Sequence, residues 1–288
     1  MNSQTKTIFL SGWEVVFNGD EDCQKFLSTQ VVNEVTAMKE SSAIELIFQN
    51  NKLVKTFEYE EGEKQLRALD PVEVGFPYQQ LIPHTIYDIV RAEEGVSYLG
   101  GDAPDFFKIP TYDFVLPFQY LGMFSPKDPA FNWLPFDLHL AAPIYSNFQF
   151  FFMDYSNPLE PKPHHQMDLS KMNNAYEEEL KADSKIIFKK SFIKTEIVDS
   201  SIDSYAFAGV PNWIQYPDIT SCPKSGKTMR FLCQITSDTG IETKFTNVKS
   251  ESKFIQDYFH RLNFWGDGDI FIFFEPESKM VCYLIQNT

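Results

Sequence analysis

Chemistry in this chain would have to come from a few short stretches. "RLNFWGDGDIFIFFEP", Arg261 to Pro276, places Asp267 and Asp269 among glycines and aromatic runs, the composition of a cation loop or of a tight turn. A helix-loop-helix calcium loop takes oxygen ligands at positions 1, 3 and 5, glycine at 6 and glutamate at 12. Counted from Asp267, those places hold Phe271 at the fifth, Ile272 at the sixth and Ser278 at the twelfth, so the calcium reading fails. Asp-Gly between aromatic runs instead predicts a two-residue type I′ hairpin, with Phe264 and Trp265 on one arm and Ile270 to Phe274 on the other. "SGKT", Ser225 to Thr228, imitates the end of a phosphate loop. The glycine required five residues before Gly226 is Ser221, and Pro223 withholds an amide from the cradle.

The histidines are His84, His139, His164, His165 and His260. His164 and His165 with Asp168, or Asp137 with His139, have the right types for a metal, but no further ligand is spaced to complete either set. His164 and His165 read as exposed residues of a proline-rich connection. Cys23, Cys222, Cys233 and Cys282 form no CxxC pair, so neither a zinc clip nor a secreted disulfide framework is indicated, and all four read as reduced, partly buried apolar residues. There is no GxSxG elbow and no cysteine with a recognisable histidine partner. The chain is expected to carry no catalytic constellation, no metal and no cofactor, and an enzyme resting on paired carboxylates is the minor reading.

The elements around these stretches are sheet-like. The chain has 288 residues, 43% hydrophobic and 16% aromatic with 28 Phe, enough to bury a core without disulfides and weighted toward strands. A net charge of -15 repels phosphate backbones and anionic headgroups, which argues against nucleic-acid and membrane partners and favours a basic protein partner. "MNSQTKTIFLSGWEVVF" lacks the basic start and apolar core of a signal peptide, and no uninterrupted apolar run has the length of a membrane span. The expected location is the cytoplasm.

Residues 1–90 read as a small N-terminal α+β module. "KTIFLSGWEVVF" is strand-like, "CQKFLSTQVVNEVTAMKE" helical, and "AIELIFQNNKLVKTFEYEEGE" a hairpin turning at Asn50-Asn51. Within 91–288, "PDFFKIP" from Pro104 and "PNWIQYP" from Pro211 share their pattern, each follows a glycine, and each leads to an apolar run and then a Phe-rich strand. This predicts an internal duplication, with copies over about 95–157 and 200–285 packed together and a linker over 158–199 that holds a helix from Asp168 to Ala182. The proline-bounded runs are expected as short edge strands or extended segments.

"AGVPNWIQYP" from Ala208, "RFLCQITSD" from Arg230 and "FWGDGDIFIFF" from Phe264 occur in the order seen in the YwqG-like family, also called DUF1963, and this part of the chain resembles that family. Gly209, Pro211, Trp213, Gln215, Gln234, Trp265, Gly266, Asp267 and Gly268 carry the likeness, which covers about 95–285 and leaves the N-terminal module outside it. The resemblance implies a duplicated α+β fold without an established activity, with relatives among immunity proteins of bacterial polymorphic toxin systems. The implied partner is a secreted toxin or its toxin domain, met by loop acids such as Asp102, Asp105, Asp128, Asp267 and the cluster Glu177, Glu178 and Glu179. The alternative is a small-ligand or peptide module with an aromatic cleft between the copies, lined by Trp213 and Trp265.

Overall fold

The structure is a computed structural model that describes residues 5–10, 13–27, 32–39, 44–50, 52–60, 63–67, 85–112, 116–146, 148–169, 172, 179–198, 205–215, 220–227 and 229–287. The first sheet is a six-stranded antiparallel meander of β1 (Lys6–Leu10), β2 (Trp13–Phe17), β3 (Glu34–Lys39), β4 (Ile44–Gln49), β5 (Lys52–Glu60) and β6 (Glu63–Arg67), with α1 (Asp20–Leu27) between β2 and β3. The hairpin predicted at Asn50-Asn51 joins β4 to β5, and Asn50 takes the positive φ of 50° that the turn requires. The segment read as one strand, residues 6–17, is instead the antiparallel pair β1 and β2.

The helix read from Cys23 through Glu40 is shorter. It ends at Leu27, and Val35 and Met38 lie on β3. Three acids in its first turn, Asp20, Glu21 and Asp22, suit the positive end of the helix dipole. Beyond it, branched residues at Val32, Val35 and Thr36 favour a pleat, and strand alternation sends Val35 and Ala37 inward.

The second sheet has eleven strands, introduced by β7 (Ile86–Arg91), β8 (Ser97–Leu99), β9 (Gln119–Phe124), β10 (Leu138–Ala142), β11 (Phe151–Asp154) and β12 (Lys162–Pro163). After β13 (Ile186–Phe188) come β14 (Ser191–Val198), β15 (Ala206–Ala208), β16 (Arg230–Thr236), β17 (Thr243–Thr246), the short α2 (Lys253–Tyr258), β18 (Asp269–Glu275) and β19 (Met280–Gln286). The order across the sheet is β10-β9-β8-β14-β7-β15-β16-β18-β19-β11-β12, and β13 pairs separately with β17. Every pairing is antiparallel. The chain is thus sheet-rich α+β.

Two expected boundaries fall inside this sheet. β7 straddles residue 90, and β14, within the segment read as a linker over 158–199, pairs with β7 and β8 at the centre. The proline-bounded runs at 104–110 and 211–217 are in neither case strands where described; both are loops. Most of the expected helix from Asp168 to Ala182 lies outside the described residues.

β18 and β19 are buried on both faces, which explains why they read as unbroken apolar runs rather than alternating ones. Ile270, Ile272, Phe274, Val281, Tyr283 and Ile285 enter one core, shared with Phe124, Phe131, Leu138 and Tyr145 from the earlier strands and loops. Phe271, Phe273, Met280, Cys282 and Leu284 enter a second core with Val15, Phe17, Phe26, Val35 and Phe48 of the N-terminal meander. The N-terminal module therefore rests on the outer face of β18 and β19. No helix among the described residues is long and apolar enough to cross a membrane.

Candidate functional site

Trp213, Gln215, Gln234 and the Trp265–Gly268 corner lie around β16, β18 and β19, with Trp213 in the core on one face and Trp265 against the core on the other. Trp213 is buried and stacks on Phe271 at 4.8 Å between ring centroids with an interplanar angle of 12°. Two buried glutamines fix the loop that carries it. Gln234 accepts from the Asn212 amide at 2.8 Å and donates to the Asn212 carbonyl at 2.9 Å, while Gln286 accepts from the amides of Ile214 and Gln215 at 3.1 and 3.2 Å. Gln215 closes the arrangement by donating to the Asn287 carbonyl at 2.9 Å. Each glutamine offers a loop the hydrogen bonds that a missing strand partner would have supplied.

Asp269, read in the sequence only as part of a turn, is an inward acid. It accepts from Gln234 Nε2 at 2.5 Å and is 9% exposed. Burial pushes its pKa up to about 6 from an ordinary 3.8, with the Gln234 amide opposing and Asp238 adding to the rise. Below the ordinary value both folded and unfolded states are protonated and no penalty exists. Between 3.8 and about 6 the folded state holds the proton more tightly, so this group's contribution to stability falls as pH rises through that window. Asp269→Asn is expected to stabilise the protein at pH 7 by up to about 3 kcal/mol, a gain that shrinks to nothing below about pH 4, measured by chemical denaturation at both pH values.

The Trp265–Gly268 corner is not the predicted Asp-Gly hairpin. Positive φ occurs at Trp265 (59°) and Gly266 (100°), two residues earlier than the expected Asp267-Gly268, and the Gly268 amide closes a wider turn onto the Phe264 carbonyl at 2.9 Å. The cause is a pair of side-chain ties. Ser237 Oγ donates to the Gly268 carbonyl and accepts from the Phe264 amide, at 2.6 and 2.9 Å, and Asn263 Oδ1 accepts from the Gly266 amide at 3.1 Å. β18 makes its hairpin with β19 instead, turning at Lys279 with φ of 55°. Asp267 is exposed at the tip and does not face Asp269 into a common cavity. Among the described residues there is no group of three or more His, Cys, Asp or Glu able to hold a metal ion.

The other polar centre lies across β8, β9 and β10. Tyr120 Oη lies 2.6 Å from His139 Nδ1 and 2.9 Å from Tyr98 Oη, all three residues being buried, and the Phe107 ring covers the imidazole at 5.2 Å. Asp137 turns away, accepting from Ser125 Oγ at 2.6 Å, so no carboxylate–histidine pair forms there. Desolvation holds the His139 pKa below its ordinary value, with Asp137 opposing, and desolvation raises Tyr120. Both are neutral at pH 7. A depressed histidine contributes stability above its unfolded value that is lost as pH falls through the lower folded value. His139→Gln is expected to flatten the decline of stability as pH falls below about 6.5 relative to the parent, read from urea midpoints across the acid range.

The acids expected to meet a partner are placed unevenly. Asp102 is exposed and ion-paired with Lys244 at 2.5 Å, which holds its carboxyl below the usual range, and Asp105 is exposed beside Phe106, itself 59% exposed. Asp128 is a correction. It is buried, caps the turn at Pro129–Phe131 through the Ala130 amide at 3.1 Å and accepts from Thr195 Oγ1 at 2.5 Å, so it is absent from any contact surface. Glu179 is half-buried, and Glu177 and Glu178 lie outside the described residues. His164 is another correction: it is 3% exposed, its ring 4.2 Å from that of His165, because its amide pairs with the Phe152 carbonyl and draws the segment onto the sheet. All four cysteines are buried and none is in a disulfide.

No protein family, no curated protein and no solved structure matches the chain.

Proposed function

We propose that this chain is a non-catalytic cytoplasmic binding protein, an immunity protein that neutralises a cognate bacterial toxin by direct contact, built on a duplicated YwqG-like core. The observation that carries the reading is where the polar chemistry goes. Gln234, Gln286, Asp269, Ser237, Asn263 and Asp128 are engaged in fastening loops to the sheet, while a net charge of -15 remains for the outside. A protein with its interior polar groups committed to scaffold acts through its surface.

The duplication is supported by strand order. Exchanging β7 with β14, β8 with β15, β9 with β16 and β10 with β18 reverses the run β10-β9-β8-β14-β7-β15-β16-β18 onto itself. Gly100 and Gly209 end the equivalent strands β8 and β15, both at positive φ, each with its Cα against a carbonyl just before the central strand it meets. The sixth residue after that carbonyl reaches to the equivalent turn in both units, Thr195 to Asp128 and Arg91 to the Thr239 carbonyl.

For the contact surface, the loop with Asp102, Asp105 and Phe106 supplies an exposed aromatic next to an exposed acid, the combination that anchors a basic partner. Co-expression with its cognate toxin domain is expected to restore growth, and the double variant Asp105→Asn/Phe106→Ala to lose at least about tenfold in affinity with its melting temperature unchanged. Failure of the parent chain to rescue growth or to form a complex rejects the immunity role. Full binding by the double variant moves the contact elsewhere.

A further inference from the structure

A cleft of about 580 Å³ opens in the second unit between the start of β17, α2 and the return segment that leads to the Trp265–Gly268 corner. That size falls within the range of small-molecule sites. Its walls are fixed by backbone pairing. Glu242 and Arg261 form an antiparallel bridge, the Thr243 amide donates to the His260 carbonyl and the Leu262 amide to the Ile241 carbonyl, both at 2.8 Å. Its floor is Asn263, 1% exposed, whose Nδ2 donates to the carbonyls of Tyr258 and Arg261 at 2.7 and 3.1 Å while Oδ1 holds the Gly266 amide. One side chain thus joins the end of α2, the return segment and the corner, so the cleft is preformed rather than moulded by a ligand.

The lining separates three chemistries. Phe254 stands 72% exposed on the rim, and a spacing of three residues sets Asp257 on the same face of α2. Glu242 is neutralised by its ion pair with Lys189. Asp257 and Arg261 both line the cleft, and among the described residues neither side chain makes a hydrogen bond or an ion pair. α2 ends at Tyr258, so these two are not stacked on one helix as an internal pair.

We propose that this cleft binds a small zwitterion with an apolar side chain, a free apolar amino acid or a short apolar peptide, its ammonium facing Asp257, its carboxylate facing Arg261 and its side chain against Phe254. Opposed charges lining one preformed cleft, both exposed and open to a ligand, recognise a molecule carrying both signs and discriminate against one carrying only one. The site is separate from the loop with Asp105 and Phe106, so its failure leaves the toxin-binding reading untouched, and the reverse holds.

The test is calorimetric titration and thermal shift of the full chain with L-leucine, L-phenylalanine and the Leu-Leu dipeptide, beside their N-acetyl and C-amide forms, up to millimolar concentration. Saturable binding by at least one uncapped probe is expected, weakened about tenfold or more by either cap and by Asp257→Asn, Arg261→Gln or Phe254→Ala. These side chains are on the surface of the cleft, so the unliganded melting temperature should not move. Preference for the amino acid or for the dipeptide identifies the source of the zwitterion. Absence of saturable binding, or binding indifferent to either cap or to the three substitutions, overturns the proposal.

Discussion

Gly209→Ala should cost about 3–5 kcal/mol of stability, a large part of the 5–15 kcal/mol available to an ordinary domain. Gly209 has φ of 96°, where a side chain is strained, and an added Cβ would lie 2.1 Å from the Thr85 carbonyl oxygen and 3.4 Å from Ile86 Cα. Those atoms belong to backbone at the start of β7, whose pairing with β15 fixes Ala208 opposite Tyr87, so relief means opening the sheet near its centre. Gly100→Ala should cost a similar amount, since its Cβ would meet the Lys189 carbonyl oxygen at 2.4 Å beside β14. Gly226→Ala is the control: its φ is 68° with nothing within 4 Å of an added Cβ, leaving only the backbone strain of about 1 kcal/mol. Urea denaturation of the three variants separates the terms. If Gly209→Ala falls no further than Gly226→Ala, close packing at the central strands is not what holds the sheet.

Trp213→Ala is expected to cost about 3–5 kcal/mol, and to do so in an uneven way. The indole is 4% exposed, stacked on Phe271 and 6.1 Å from Phe273, in the core that the large sheet shares with Val15, Phe17 and Phe48 of the meander. Removing it leaves a cavity at the join between the two sheets while the core on the opposite face of β18, with Ile270, Ile272 and Phe274, is untouched. Limited proteolysis should therefore cut within residues 5–67 before the large sheet is attacked. A cost below about 1 kcal/mol, or cleavage that begins in β16 or β18, would show that the meander does not depend on this contact.

The parts of the fold visible in the sequence were those with local signals. Asn50-Asn51 between alternating apolar residues marked β4 and β5, and unbroken Phe-rich runs marked β11 and β18. β14 was hidden for a physical reason. "SFIKTEIV" has mostly half-buried or exposed side chains and four charged or hydroxyl residues among its eight, so it reads like a connection until β7 and β8, about a hundred residues earlier, supply its partners. The corner at Trp265–Gly268 shifted by two residues because Ser237 and Asn263, distant or unremarkable in sequence, decide which residues take positive φ. Asp128 was read as an outward acid, although Asp-Pro at the start of a helical turn is a capping signal and the buried carboxylate serves that role. The cleft beside Asn263 has no sequence pattern, since it arises only where β17, α2 and the return segment close on one another.

The opposed behaviour of Asp269 and His139 has a consequence for handling the protein. Acidification through pH 6 relieves the buried carboxylate while it begins to penalise the buried imidazole, so the two contributions oppose each other in mildly acid conditions. Above pH 7 neither group changes charge.

Titration of the purified chain with the purified toxin domain at low and at high salt measures the proposed role most directly. A saturating one-to-one complex is expected, with affinity falling at least about tenfold as salt rises from about 0.05 to 0.5 M, because a chain of net charge -15 meets a basic partner across its acidic loops. Absence of a complex at either salt concentration would contradict direct neutralisation, and a complex indifferent to salt would contradict the acidic surface as its origin.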